Sequence, residues 1–160
     1  MKLGVISDTH GHLDPRVFEL FDGVDAILHA GDFETEDTLI ELGALAPVHA
    51  VAGNCDYAFG RRFPRLRRIS LAGRDILLCH IAPELGRGRP GTPLDPALGP
   101  PDVLVHGHTH RPRCERRGGV LLFNPGFAGR GQGRGGGRTV GFLRLGERGV
   151  AGRIAALETE

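Results

Sequence analysis

The chain has 160 residues, a formal net charge of +1 at pH 7 and 40% hydrophobic residues. This length fits a single domain with its own core, so we expect residues 1–160 to form one domain. The near-neutral charge does not point to nucleic acid, and no apolar run approaches the ~18 residues of a membrane span. The three cysteines form no C-x-x-C pair, which argues against a disulfide framework. With no recognisable signal peptide, they predict a cytoplasmic protein.

The first fifty residues alternate between strand-like and helix-like segments. Apolar runs predict strands over residues 2–7, 25–31 and 47–53. A first helix is predicted to begin at Asp14-Pro15, which combines an N-cap residue with proline at the first helical position, and to end at Asp22-Gly23. A second helix is predicted from Thr35 to Gly43. Strands that alternate with helices are typical of βαβ units and a largely parallel sheet.

Beyond residue 60 the sequence contains further strand signals but few helical ones. Strands are predicted over residues 74–80, 102–107, 119–126, 139–145 and 150–157. We therefore predict an α/β fold, an αββα sandwich of two mixed β-sheets flanked by helices. The Gly/Arg segment of residues 129–138 is interpreted as a loop between two strands, with an RGG-like nucleic-acid contact as the alternative.

A potential metal ligand follows each of five apolar runs. These ligands are Asp8, His10, Asp32, Asn54, His80, His108 and His110. Because the carboxyl ends of strands in α/β sheets meet at one edge, we expect these side chains to converge. A glycine precedes Asp32, Asn54 and His108, and it lets the backbone pass close to whatever those side chains hold.

Two carboxylates, one amide and four imidazoles are too many ligands for one tetrahedral ion. The set suits two ions that share a bridging carboxylate, and mixed nitrogen and oxygen ligands fit Mn, Fe, Zn or Ni. Two ions about 3.5–4 Å apart would hold a bridging water with its pKa lowered from about 15.7 towards ~7. Hydrolysis of a phosphate ester is the predicted reaction. Spacing alone leaves His106 open as a further ligand, since alternate residues of an extended segment share a face.

The ordered motifs resemble those of the calcineurin-like metallophosphoesterases. The motifs are Asp8-Thr9-His10, Gly31-Asp32, Gly53-Asn54-Cys55-Asp56, His80 and Gly107-His108-Thr109-His110. The GNCD form and the FNPG stretch of residues 123–126 resemble the small single-domain, YfcE-type phosphodiesterase branch.

The resemblance implies a dinuclear centre, with manganese favoured over nickel, iron, cobalt or zinc. One ion would be held by Asp8, His10, Asp32 and His110, and the other by Asp32, Asn54, His80 and His108. A metal-bridging hydroxide would be held by Asp32, with Asn54 and His108 near the phosphate. Residues expected behind the ligands are Cys55, Asp56 and His29, and His106 is expected in packing or behind the ligands.

The sequence departs from the family pattern in three places. Cys55 stands where many members have histidine, and a thiol with a reference pKa of ~8.5 is a poor acid at neutral pH, so we expect better activity on activated esters. Ile81 and Ala82 replace the glycine and second histidine that usually follow the motif histidine, and Phe127 replaces a serine after Asn-Pro-Gly. The ligand set is intact, whereas the residues around the substrate differ.

A divalent-metal-dependent phosphodiesterase is the leading interpretation. One alternative is a non-catalytic, retromer-like protein-binding scaffold with the same fold. Another is a nuclease in which the Arg clusters of residues 61–68 and 111–117 hold phosphates. The expected partner is a phosphate-ester substrate, without a membrane. Nucleic acid is not favoured, and a homo-oligomer is left open.

Overall fold

The computed structural model describes residues 1–131, 134 and 137–157. Among these residues two five-stranded sheets lie face to face, and the two described α-helices fall in the first half of the chain. The strands are β1 (Lys2–Ile6), β2 (Ala26–His29), β3 (Val48–Ala50), β4 (Leu66–Leu71), β5 (Arg74–Cys79), β6 (Val103–Val105), β7 (Arg113–Arg117), β8 (Val120–Asn124), β9 (Thr139–Gly146) and β10 (Gly149–Ala156). The helices are α1 (Arg16–Leu20) and α2 (Glu36–Gly43), with short 3-10 turns at Tyr57–Phe59 and Pro96–Leu98.

Both sheets are mixed. The first has the order β10-β9-β1-β2-β3, in which β1, β2 and β3 are parallel and β9 and β10 antiparallel to their neighbours. The second has the order β4-β5-β6-β8-β7, with a parallel centre and antiparallel edges. The predicted α/β sandwich of two mixed sheets is confirmed. In both sheets the parallel strands occupy the region from which the candidate ligands emerge.

Apolar side chains that alternate along the strands fill the space between the sheets. Leu3, Val5 and Leu28 of the first sheet meet Ile76 and Leu78 of the second, and all five are fully buried. Burying a side chain of this size contributes roughly 1.5–3 kcal/mol, so this layer holds the two sheets in a fixed relation. The carboxyl ends of the two parallel regions therefore keep a constant separation.

Both described helices cover the outer face of the first sheet. Val17 of α1, Phe21 directly after it and Leu42 of α2 pack on the outward side chains of β1 and β2. Asp14 was predicted as the N-cap with Pro15 in the helix, but α1 begins at Arg16 with Pro15 at the N-cap, and the Asp14 carboxylate accepts a hydrogen bond from the Arg16 N–H (2.9 Å) from one residue further back. Thr35 precedes α2 in an extended conformation, and its hydroxyl lies 3.1 Å from that of Thr38.

The outer face of the second sheet is covered differently. Leu77, Cys79 and Leu104 pack there with Leu94, which belongs to the long loop between β5 and β6. Two Arg-rich edge strands, β4 and β7, were not predicted. The longer described helix has eight residues, and none of the described helices has the length and apolar character needed to cross a membrane.

The predicted loop of residues 129–138 falls between β8 and β9. Four of its residues, 132, 133, 135 and 136, lie outside the described residues. The alternative interpretation of this segment, an RGG-like nucleic-acid contact, falls in part on the same four residues.

Candidate metal centre

The loops that leave β1 and β2 run side by side and extend the parallel pairing beyond the sheet. The Asp8 N–H donates to the Gly31 carbonyl and the His10 N–H donates to the Asp32 carbonyl, both at 3.0 Å. In the second sheet the Gly107 N–H donates to the His80 carbonyl at 3.0 Å. These bonds fix the spacing within two pairs of loops, and the four loops carry most of the candidate ligands.

Direct contacts between the two sheets bring these loops to one place. The His108 N–H donates to Asp8 Oδ2 (3.2 Å), and His80 Nδ1 donates to the Ala30 carbonyl (2.8 Å). The approach is close because glycines stand at the contacts. A Cβ on Gly107 would lie 1.9 Å from Ser7 Oγ, and one on Gly31 would lie 2.8 Å from His80 Cβ.

Five of the seven candidate ligands have a left-handed backbone. The φ angles are 55° for Asp8, 47° for His10, 56° for Asp32, 68° for His108 and 57° for His110. Such a conformation costs a non-glycine residue about 1–3 kcal/mol and is maintained only where the surrounding structure imposes it. Its concentration at one edge of the sandwich indicates a functional site.

The donor atoms form overlapping groups. Three sets have ligand atoms within 4.8 Å of one another among the described residues: Asp8, His10 and His110; Asp8, Asp32 and His80; and His10, Asp32 and Cys55. Asn54 joins them, since its Oδ1 lies 3.0 Å from His80 Nε2. His108 is in none of these groups within the described part of the chain, but its ring centroid is 5.1 Å from that of His80.

Asp8 is fully buried and one of its carboxylate oxygens is unsatisfied. Oδ2 accepts hydrogen bonds from the Ser7 hydroxyl and from the His108 N–H. Oδ1 accepts none from the described residues, although His110 Nε2 lies 3.1 Å away. Burial raises the pKa of Asp8, and the Ser7 hydroxyl and the nearby histidines oppose this only in part. A buried carboxylate oxygen beside imidazole nitrogens fits a cation site.

Asp32 and His80 are electrostatically coupled. Burial raises the pKa of Asp32, but hydrogen bonds from His80 and from the Cys55 N–H (2.8 Å) outweigh it, and the net shift is downward. For His80 burial lowers the pKa, but the hydrogen bond to Asp32 and the charge of Asp8 make the net shift upward. The two carboxylates therefore favour positive charge at this position, whether it comes from an imidazolium or from a divalent cation.

Asp56 holds the backbone beneath the ligands. Its buried carboxylate accepts N–H hydrogen bonds from Asp32 (2.8 Å), Glu34 (2.7 Å) and Gly53 (2.7 Å). Charge-assisted bonds of this kind are among the stronger ones in proteins. Asp56 thus supports the left-handed turn at Asp32. It belongs to the same Gly53-Asn54-Cys55-Asp56 motif as the candidate ligand Asn54.

His29 and Cys55 lie next to the ligands with their side chains uncharged. The Gly31 N–H donates to His29 Nδ1 (3.2 Å), so Nε2 carries the proton that it donates to Thr9 Oγ1 (3.1 Å). Complete burial lowers the pKa of His29 to about 3. Burial, followed by the hydrogen bond and charge of Asp32, raises the pKa of the Cys55 thiol to about 11.

His106 is buried behind the cluster rather than within it. Its Nδ1 is 3.2 Å from the Gly107 carbonyl, and burial lowers its pKa. The neighbouring Asn124 of the FNPG stretch donates to the Gly107 carbonyl (2.9 Å) and to Thr109 Oγ1 (3.0 Å). The FNPG stretch therefore supports the loop that carries His108 and His110.

Two further residues lie beside the cluster: Glu34, which sequence reasoning missed, and Phe127, which it noted only as a departure from the family pattern. Glu34 Oε1 lies 2.7 Å from His10 Nδ1, and Glu34 shares the left-handed conformation (φ 58°). The Phe127 ring packs against His110 and His10, with centroid distances of 4.7 and 6.1 Å. The available sequence signal for Glu34 was its position two residues after Asp32, because alternate residues of an extended segment share a face.

The sandwich and its donor cluster define the class as a candidate metal-dependent hydrolase. Residues 1–147 match the calcineurin-like phosphoesterase superfamily domain. The chain belongs to this superfamily.

Relatives and solved structures agree with this assignment. The chain is 40% identical over 133 residues to "Probable metallophosphoesterase" of Methanothermobacter thermautotrophicus, covering 79% of this chain and 76% of that one. It is 35% identical over 148 residues to phosphodiesterase YfcE of Escherichia coli, covering 79% and 78%. The solved structure of an archaeal phosphodiesterase has a TM-score of 0.71 at 26% identity, covering 97% of this chain and all (100%) of that one. Vps29 of Chaetomium thermophilum has the same TM-score at 18% identity, covering 97% and 95%, which is a likeness of fold.

Proposed function

We propose that this protein is a divalent-metal-dependent phosphodiesterase. The observation that carries the proposal is the buried, unsatisfied Oδ1 of Asp8 beside the Nε2 atoms of His110 and His80. A carboxylate oxygen in that setting is unfavourable without a cation. The relatives named as phosphodiesterases support a diester as the substrate.

The proposal assigns seven ligands to two ions. Asp8, His10, Asp32 and His110 would hold one, and Asp32, Asn54, His80 and His108 the other. Oxygen and imidazole ligands suit manganese, and also nickel, iron, cobalt or zinc. When bound, the two cations supply positive charge that neutralises the phosphate and lowers the pKa of water.

Hydrogen bonds behind the ligands support these roles, because a ligating histidine needs its second nitrogen fixed. His80 donates from Nδ1 to the Ala30 carbonyl, which turns Nε2 towards Asp32 and Asn54. His10 Nδ1 is held by Glu34 Oε1, which leaves Nε2 free for an ion. The Cys55 N–H orients Asp32 in the same way.

His108, besides its role as a ligand, and two residues outside the ligand set, Phe127 and Cys55, lie where they can act on the ester. His108 is exposed beside His80, where its imidazole can reach a phosphate oxygen. The Phe127 ring covers one side of His110 and so helps to orient that ligand. The Cys55 thiol stays protonated at neutral pH and is a weak acid, so the departing alcohol depends on its own acidity.

The test is hydrolysis of bis(p-nitrophenyl) phosphate with added Mn²⁺, Ni²⁺, Co²⁺ or Zn²⁺, compared with p-nitrophenyl phosphate. We expect turnover of the diester, loss of at least a thousandfold on chelation, and a similar loss in Asp32→Asn. The matched control is Asp22→Asn, which changes an exposed carboxylate beyond α1. Absence of turnover with every one of these metals overturns the proposal.

The scaffold alternative predicts a different result. Stoichiometric capture of a protein partner without turnover would favour it. The complete set of seven donor side chains supports the hydrolase, since a scaffold has no use for a buried unsatisfied carboxylate.

A further inference from the structure

A cavity of about 570 Å³ opens beside the donor cluster, along the segment that follows β6. Its lining includes His106, His108, Arg111, Arg113 and Arg134. His108 also contacts the ring of His80, so the cavity adjoins the proposed metal centre directly. The described lining contains three arginines and no acidic residue.

The positive charge of this lining is only partly compensated. The Arg113 guanidinium is held by Glu115 through Nε (3.0 Å) and Nη2 (2.9 Å). The exposed Arg111 and Arg134 side chains form no ion pair with the described residues. An arginine-rich cavity without acidic groups attracts an anion, and the fork of guanidinium N–H groups matches a phosphate.

His106 supplies a second, independent observation. The residue is 5% exposed, and its Nε2 has no hydrogen-bond partner among the described residues. The two amide hydrogens of Asn124 go to the Gly107 carbonyl and to Thr109. His106 Nδ1 lies 3.2 Å from the Gly107 carbonyl and 3.3 Å from Asn124 Nδ2, and in either tautomer Nε2 is left without a partner among the described residues while the residue lines the cavity. A buried polar nitrogen without a partner is unfavourable unless a ligand completes its hydrogen bond.

We propose that this cavity is a substrate subsite for a second phosphate, so that the preferred substrate is a phosphodiester that carries a further phosphate beyond the scissile bond. Arg111 binds the second phosphate, Arg134 adds positive charge, and His106 Nε2 pairs with a polar group of the linking group. A dinucleotide that carries a phosphate at one end has this chemistry. The inference rests on the proposed function, because the first phosphate is held at the proposed metal centre.

The kinetic test uses three dithymidylates with the same internal diester: one without a terminal phosphate, one phosphorylated at the 5′ end and one at the 3′ end. We expect kcat/KM to favour one phosphorylated form by about tenfold or more, and Arg111→Gln to remove most of that preference. Arg148→Gln, an exposed arginine in the β9–β10 turn, should keep it. The kcat/KM preference for the phosphorylated dithymidylate should also fall as the salt concentration rises, because salt screens the attraction between Arg111 and the second phosphate.

A binding measurement gives a readout independent of turnover. Titration calorimetry on the metal-loaded protein compares thymidine 3′,5′-bisphosphate with thymidine 5′-monophosphate. We expect the bisphosphate to bind about tenfold more tightly, and Arg111→Gln to bring the two affinities together.

The outcomes separate the two proposals. If the protein hydrolyses all three dithymidylates equally, or if Arg111→Gln keeps the preference, the subsite is wrong and the diesterase stands. If no diester is hydrolysed with any metal while the bisphosphate binds tightly through Arg111, the diesterase is wrong and the phosphate site stands.

Discussion

Nε2 of His80 lies 3.2 Å from Oδ2 of Asp32, and this contact joins the end of β5 in one sheet to the end of β2 in the other. Both side chains are 3% exposed. Because ligands must be deprotonated to bind a metal, a proton on His80 and a divalent cation compete for the same carboxylates. The centre is therefore expected to couple cation binding to folding.

Divalent cations should stabilise the folded chain. A ligand that binds only the folded state at a hundred times its Kd contributes about 2.7 kcal/mol, so excess Mn²⁺ should raise the Tm above its value in chelator. Asp32→Asn should abolish this shift, whereas Asp22→Asn should keep it. Thermal unfolding followed by circular dichroism measures both. An unchanged Tm in the wild-type protein would contradict a cation site made from these residues.

The sequence was sufficient to predict the parallel strands, both helices and the mixed sandwich. Those segments carry apolar periodicity and clear helix starts, such as Asp14-Pro15. The edge strands β4 and β7 were missed because residues 66–71 and 113–117 are rich in arginine. An edge strand pairs with a neighbour along one edge only, and its other edge meets solvent, so it tolerates many charged residues. The sequence of such a strand therefore resembles that of a loop.

The candidate site was predictable as a set of residue types but not as a conformation. Nothing in the local sequence of Asp8 or Asp32 requires a left-handed backbone, which arises from the pairing of the β1 and β2 loops and from the Asp56 carboxylate. The contact between His10 and Glu34 depends on the same turn. Such features come from tertiary structure, which a single sequence does not encode in local periodicity.

Gly107→Ala should damage the site through steric overlap. A Cβ there would lie 1.9 Å from Ser7 Oγ and 2.7 Å from Asp8 Oδ2, so the two loops would have to separate. Overpacking of this kind costs about 1–3 kcal/mol, and we expect a fall in both unfolding free energy and bound manganese.

Gly43→Ala is the control for that substitution. Gly43 ends α2 and has open space where a Cβ would stand, so its replacement should be neutral or stabilising by up to about 1 kcal/mol. Urea unfolding and elemental analysis of the two variants give the comparison. Equal effects in both would mean that the close approach at Gly107 is unimportant.

His29 should make the protein sensitive to acid. Its pKa is lowered to about 3 in the folded state by burial, against about 6.5 when unfolded. Between these values the unfolded chain binds the proton and the folded chain does not, so stability falls as the pH falls. The slope is about 1.4 kcal/mol per pH unit, and no loss from this residue is expected above pH ~7.

His29→Gln removes the titrating group, so the variant should lose less stability than the wild-type protein between pH 6.5 and 4. Urea unfolding at several pH values in the presence of chelator measures the two slopes. Parallel slopes would show that His29 is not the residue responsible.

Cys55 should limit the range of esters that the protein hydrolyses. Burial, with the neighbouring Asp32, raises the pKa of its thiol to about 11, so it gives little help to a departing alkoxide at neutral pH. We expect kcat/KM for a series of aryl phosphodiesters to fall steeply as the leaving alcohol becomes less acidic. Cys55→His places a better-matched acid there and should flatten the slope, with a gain of roughly a hundredfold for the poorest leaving group. Cys55→Ser should keep the wild-type slope. A flat slope in the wild-type protein would mean that another residue protonates the leaving group.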